Sequence, residues 1–211
     1  MEIQLFPSLP STQTYLTAAL REKRVHAPLA VIALEQTAGI GSRDNSWEGE
    51  EGNFFASIAV KLSDLPNDLP LSSASIYFSF IMKKILLRYH DKVWLKWPND
   101  FYLGDNKIGG TITKKIEDIL VCGMGINLKK NQTPYSALQV DVSPQSLLKI
   151  YLEELEKYPD WKQVFSEYRV EFELSRRFSV HIENRRKSLY NTQLCDDGSL
   201  LIDGKKVFSS R

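Results

Sequence analysis

Apolar residues run unbroken through Leu29-Ala30-Val31-Ile32-Ala33-Leu34, a pattern that predicts a buried strand ending where a glycine-containing stretch begins. A second strand is expected over Asn53-Phe54-Phe55-Ala56-Ser57-Ile58-Ala59-Val60. After Ser11, a candidate helix cap, Tyr15, Leu16, Ala19 and Leu20 recur at helical spacing. Residues 72–90 predict a long helix with Ile76, Phe80, Ile81, Ile85 and Leu86 on its core face. Two further helices are expected from Ser146 to Tyr158 and from Trp161 to Tyr168, separated by Pro159. From about residue 174 the pattern becomes all-β. Its strands are Ser179-Val180-His181-Ile182, Ser188-Leu189-Tyr190 and Leu200-Leu201-Ile202, with turns at Asp197-Gly198 and Asp203-Gly204.

Between the long helix and the later ones lies the most specific stretch. Val93-Trp94-Leu95-Lys96-Trp97 alternates as a strand, so Lys96 shares a face with Trp94 among rigid neighbours. Pro98 stops that strand, and Asn99-Asp100 start a turn. Phe101-Tyr102-Leu103 reads as the returning strand and Gly104-Asp105-Asn106 as the next turn, with Lys107 leading into Gly109-Gly110. Thr111-Ile112-Thr113 follows, then a strand at 119–123. Two ammonium groups beside backbone N–H donors suit a carboxylate together with a phosphate. A solvated lysine face and an ordinary Gly-Gly turn are the plainer readings of the same spacing.

Composition narrows the options. A chain of 211 residues with 43% hydrophobic content can bury one substantial core and one small appended unit. The formal net charge of +1 argues against a general nucleic-acid binder, and Arg185-Arg186-Lys187 reads as a solvated loop. No apolar run reaches membrane-spanning length, and the first residues lack a charged-then-apolar leader pattern. Cys122 and Cys195 form no spaced framework, as expected of thiols in a reducing cytoplasm.

Four segments, in order, resemble the motifs of biotin protein ligases, enzymes that adenylate biotin and attach it to a lysine of a carrier protein. Ser8-Leu9-Pro10-Ser11-Thr12-Gln13 resembles the family's D-S-T-N element. Glu35-Gln36-Thr37-Ala38-Gly39-Ile40-Gly41-Ser42-Arg43 resembles its E-Q-T-A-G-R-G-R-R loop. Lys96-Trp97-Pro98-Asn99-Asp100 with Lys107-Ile108-Gly109-Gly110 resembles K-W-P-N-D … K-x-x-G. Val121-Cys122-Gly123-Met124-Gly125-Ile126-Asn127 resembles the G-x-G-I-N strand end. Together they cover most of residues 8–128.

The resemblance implies an α+β fold: a mixed, largely antiparallel central sheet with packed helices, of the class II aminoacyl-tRNA synthetase-like type. It also implies a small C-terminal SH3-like β-barrel, giving an expected catalytic domain at 1–170 and a small domain at 171–211. Because the Ser-Thr element begins near residue 8, a monofunctional ligase without an N-terminal DNA-binding domain is expected. The implied substrates are ATP and biotin, with Mg²⁺. The implied partner is the biotin carboxyl carrier protein of acetyl-CoA carboxylase, and the expected state is a monomer or homodimer.

The implied roles can be set out by residue. Lys96 bridges the biotin carboxylate and the α-phosphate; Lys107 and Arg43 complete the catalytic cations. Biotin falls to Ser11, Thr12, Gln13, Gln36, Gly39, Gly41, Ser42, Lys96, Gly109 and Gly123. The nucleotide falls to Arg43, Trp47, Lys96, Lys107, Asn127 and Arg211, with Trp47 packing on adenine. Metal ligands are not assigned, although Asp100 is at hand. The chain departs from the family where Gln13 replaces Asn, and where Ile40, Ser42 and Asn45 replace arginines. The missing cations lead to the expectation of weaker loop closure over the adenylate. No base for the carrier lysine is legible, since His26, His90 and His181 lie outside the motifs. A lipoate protein ligase shares the fold and the adenylation logic, and a non-catalytic biotin-binding protein is the alternative from another class.

Overall fold

The computed structural model describes residues 1–41, 46–129, 136–182 and 185–208. An eight-stranded mixed sheet is formed by β1 (Glu2–Leu9), β2 (Leu29–Ile40), β3 (Ser46–Gly49), β4 (Phe54–Lys61), β5 (Val93–Lys96), β6 (Asp100–Leu103), β7 (Asn106–Ile116) and β8 (Ile119–Ile126). The strand order is β1-β2-β4-β8-β7-β6-β5, with β3 paired to the far end of β2. Only β1 runs parallel to its neighbour.

Period-two alternation sorts the side chains of β2, β4 and β8 between two cores. Ala30, Ile32, Phe54, Ala56, Ile58, Leu120, Cys122, Met124 and Ile126 join the larger one, with α2 (Ala74–Leu86), α3 (Pro144–Leu155) and α4 (Trp161–Glu171). Val31, Ala33, Ala59 and Val121 face the other way, toward Leu16 and Leu20 of α1 (Thr12–Arg21). Burial on both faces is why β2 and β4 read as continuous apolar runs. Helix α2 is shorter than the sequence suggests. A 3₁₀ turn at Leu71–Ser73 precedes it, and Leu87 caps it.

Two strands escape the hydrophobic pattern. β1 is an edge strand whose side chains are mostly exposed or half-buried, so no apolar alternation marks it. β3 is the other, and it pairs with part of the stretch expected to be a glycine loop. Residues 35–40 continue β2 as a strand, because Gly39 and Ile40 pair with Trp47 and Ser46 beyond a bulge.

The tail is β-rich, as expected, but forms two small sheets. One is β9 (Ser179–Ile182) with β10 (Arg185–Ser188). The other is β11 (Gln193–Leu194), β12 (Leu200–Ile202) and β13 (Lys205–Val207). Among the described residues no closed barrel is found: the two sheets share no pairing, and strands of two to four residues are too short to wrap around a core of their own. Instead Val180, Leu189, Leu200 and Ile202 join the larger core.

Candidate functional site

The α1 face of the sheet carries small or polar residues where the strands approach β5. Register places Lys96, Asp100, Gly110, Gly125, Phe55 and Ala33 in one cross-strand row. The adjacent row runs Ile112, Gly123, Ser57 and Val31. The missing side chains of Gly123 and Gly125 leave a depression that other elements fill. A Cβ at Gly123 would stand 2.5 Å from Gln13 Oε1, and one at Gly125 3.0 Å from Trp47 Nε1. The extra methylene of Gln13 carries its amide over Gly123, where its Nε2 donates to the Val121 carbonyl at 3.4 Å.

A narrow slot of about 40 Å³ is lined here by Ser11, Thr12, Gln13, Gln36, Trp47 and Gly123, among others. Its inner wall is polar. Thr12 donates to Gln36 Oε1 through its backbone N–H at 2.8 Å and its hydroxyl at 3.1 Å, and its Oγ1 lies 2.9 Å from the Ser57 hydroxyl. Ser11 lines the slot and also caps α1, accepting the Thr14 N–H at 3.3 Å. Among the described residues that line the slot, Gln13 Oε1, Trp47 Nε1 and the Thr111 hydroxyl are buried without a partner. Orphaned buried groups are costly unless a ligand completes them.

A wider cleft of about 800 Å³ opens from the slot; Gln13, Ile40, Gly41, Asp100 and Lys107 line both, and Lys96 lines the cleft. The Asp100 carboxylate lies 2.7 Å from Lys107 Nζ and 3.9 Å from Lys96 Nζ, so one anion holds both ammonium groups. Lys96 is well enclosed, its side chain 12% exposed, with Nζ 5.5 Å from the Tyr102 ring centroid and 5.9 Å from that of Phe178. Burial, helped by the Asp100 charge, pushes the Tyr102 phenol up to about 12, so a neutral ring faces the cation.

Lys107 reaches this face because of a β-bulge. Phe101 pairs with Gly109 but Tyr102 with Lys107, so one residue of β7 is unpaired. Strict alternation from Gly110 would send Lys107 to the helix-packed face; the bulge turns it toward Asp100. Asn99 donates its side-chain amide to the Thr111 carbonyl, and Thr111 N–H donates to Asn99 O at 3.0 Å, tying the turn between β5 and β6 to β7.

Most residues singled out from sequence are thus brought together: Ser11, Thr12, Gln13, Gln36, Gly41, Trp47, Lys96, Lys107 and Gly123 line the slot or the cleft. Gly39 is packed under the Trp47 carbonyl, and Gly109 under the Gly125 carbonyl and the Phe101 ring. Neither lines the slot or the cleft. Asn127 donates its amide to the Ser136 carbonyl at 3.2 Å and also lies off both cavities. Ser42, Arg43, Asn45 and Arg211 lie outside the described residues. Sequence reading missed Ser57, which no motif marks, and the Ser179-Val180-His181 wall of the cleft, which tertiary packing supplies.

A family model described as the biotin/lipoate A/B protein ligase family matches residues 5–131. Over 143 residues the chain is 32% identical to the bifunctional ligase/repressor BirA of Escherichia coli, covering 64% of this chain and 43% of that protein. Over 125 residues it is 34% identical to biotin–protein ligase 2 of Arabidopsis thaliana, covering 54% and 37%. The chain therefore spans less than half the length of these curated relatives. A solved Helicobacter pylori structure, biotin acetyl coenzyme A carboxylase synthetase with bound biotinylated ATP, superposes with a TM-score of 0.93 at 38% identity. That match covers 98% of this chain and 99% of the other. Biotin protein ligase of Aquifex aeolicus, in complex with biotin and ATP, shares the fold with a TM-score of 0.80 at 20% identity over 99% and 96% of the two chains. From the family model and the full-length likeness to the Helicobacter protein, this chain belongs to the biotin/lipoate A/B protein ligase family.

Proposed function

We propose that the chain is a biotin protein ligase that forms biotinoyl-5'-AMP and pyrophosphate from biotin and ATP, then transfers the biotinoyl group to a carrier lysine. The observation that carries this reading is the row Lys96–Asp100 with Lys107, set at the mouth of a narrow polar slot. Biotin's bicyclic ring enters the slot and its carboxylate points outward. A ureido group offers two N–H donors and a carbonyl, matching the orphaned Gln13 Oε1 and Trp47 Nε1. A dithiolane ring offers neither, which favours biotin over lipoate.

In the first step a biotin carboxylate oxygen bonds to the α-phosphorus and the bond to pyrophosphate breaks. Both reactants are anionic, and Lys96 and Lys107 offset their repulsion and hold them close. Asp100 offsets one of the two positive charges and orients both lysines until the substrates bind. An Mg²⁺ ion brought by the ATP phosphates would find Asp100 as its protein carboxylate and would supply further charge neutralisation. Among the described residues no group of three or more His, Cys, Asp or Glu could cage a metal. In the second step the carrier amine nitrogen bonds to the anhydride carbonyl carbon and AMP leaves.

The acceptor class proposed is the biotin carboxyl carrier protein. The balanced charge supports a ligase without repressor activity, which a mobility-shift titration with duplex DNA checks. No described helix is long and apolar enough to cross a membrane, and a cytoplasmic location is proposed.

ATP–pyrophosphate exchange tests the reading: it should require biotin. Exchange supported by lipoate and not biotin would move the chain to the other branch of the family. The slot itself has a separate test. Gly123→Ala should weaken biotin binding by roughly tenfold, since Gln13 must move off the strand. Shortening the clashing side chain in Gly123→Ala/Gln13→Asn should recover part of that loss. Calorimetric titration giving unchanged affinity for the single variant would place biotin elsewhere.

A further inference from the structure

β5 is the last strand of the sheet, yet its free edge is closed by groups that no motif marks. Antiparallel pairing with β6 engages alternate residues and leaves the N–H groups of Val93, Leu95 and Trp97 pointing outward. Each finds an acceptor outside the sheet. Val93 N–H donates to the His90 carbonyl at 3.4 Å, Leu95 N–H to Glu171 Oε1 at 2.5 Å, and Trp97 N–H to Ser175 Oγ at 3.0 Å. The last two residues flank Lys96.

Glu171 ends α4, and Ser175 lies in the 3₁₀ turn that follows. The second carboxylate oxygen of Glu171 pairs with Lys83 of α2, both side chains being about nine-tenths enclosed at 10% and 11% exposure. Ser175 is fully buried. One carboxylate thus ties α2, α4 and β5 together. A neutral acceptor at 175 fixes the next outward N–H. An edge strand hydrogen-bonded on one side can slide or tilt, and Lys96 must be held to within a fraction of an ångström to bridge two anions.

We infer that Glu171 and Ser175 are positioning residues for adenylation, clamping the outer edge of β5 on either side of Lys96 so that its ammonium group meets the reacting carboxylate and phosphate. The inference rests on the ligase reading above. Neither residue touches the cleft; they act through the backbone that carries Lys96.

Two double variants separate positioning from simple stability. Lys83→Met/Glu171→Met removes the ion pair and the acceptor; Lys83→Met/Glu171→Gln removes the pair but keeps a carbonyl oxygen for Leu95 N–H. In single-turnover adenylate formation at saturating biotin and ATP, the first should be slowed by roughly tenfold or more, with biotin affinity changed by no more than about twofold. The second should recover to within about threefold of the wild-type rate. Ser175→Ala should slow the same step while Ser175→Thr retains it. Equal rates in the two double variants, or a loss that falls wholly in biotin affinity, would overturn the inference.

Amide hydrogen exchange gives a readout independent of turnover. Leu95 N–H should exchange faster in the Met variant than in the Gln variant, and unchanged protection in the Met variant would sink the clamp. Wild-type chain that forms no adenylate from biotin counts against the ligase reading instead, and exchange at Leu95 still decides the clamp.

Discussion

Lys96→Ala should abolish biotin-dependent ATP–pyrophosphate exchange, with a loss of at least about 10³-fold, equivalent to roughly 4 kcal/mol of transition-state stabilisation. Two features make the loss large. The ammonium lies in an enclosed pocket, 12% exposed, where its field is less screened than at a surface. It also sits on a strand braced from both sides, so no neighbouring lysine can take its place without breaking the sheet. Lys107, with a 38% exposed side chain reaching the site over a bulge, is the looser cation. Removing Lys96 frees Asp100 to pair with Lys107 alone, which leaves a net-neutral pair where two anions must meet. Biotin binding should survive, because the slot walls are Ser11, Thr12, Gln13, Gln36 and Gly123. Exchange reduced less than tenfold in Lys96→Ala would move the bridging role to Lys107.

Much of this site was legible because its parts are local. The apolar runs of β2 and β4 announce strands buried on both faces, and Lys96 with Trp94 follows from simple alternation. Motif resemblance then gathered the segments into one family. What stayed hidden depends on pairing between distant residues. β1 carries no apolar alternation because its side chains face solvent. The β2–β3 hairpin looked like a loop because its glycines pack against the partner strand's backbone and Gln36. The facing of Lys107 is set by a register shift against β6, which no single-strand pattern records. Glu171 meets Leu95 across 76 positions, and nothing in either local sequence announces the bond. The tail was read correctly as β-rich, but its apolar residues are spent on the main core and not on a closed barrel.

That shared core leads to the second large effect, Trp97→Ala, which should destabilise the fold by about 3–5 kcal/mol. Trp97 is fully buried, and its Nε1 donates to the Gly198 carbonyl at 2.9 Å. Two neighbours make equivalent bonds to the same turn: Ser73 Oγ to the Asp197 carbonyl at 2.5 Å, and Trp161 Nε1 to the Asp196 carbonyl at 3.0 Å. Three successive carbonyls of residues 196–198 are therefore satisfied by three side chains from elsewhere in the chain. Removing the indole empties a large volume in the core and strips one carbonyl of its donor, and these costs add. Within the Lys96-Trp97-Pro98 motif this tryptophan is the peg on which the C-terminal turn hangs. Chemical denaturation should show the loss as a lower midpoint with an unchanged slope, provided the turn and the core still unfold together. A lower slope with a separate early transition would mean that residues 178–208 detach first. A loss under about 1 kcal/mol would mean that neither the volume nor the bond to Gly198 matters, and the indole would then have to be explained by what it does for Lys96 next to it.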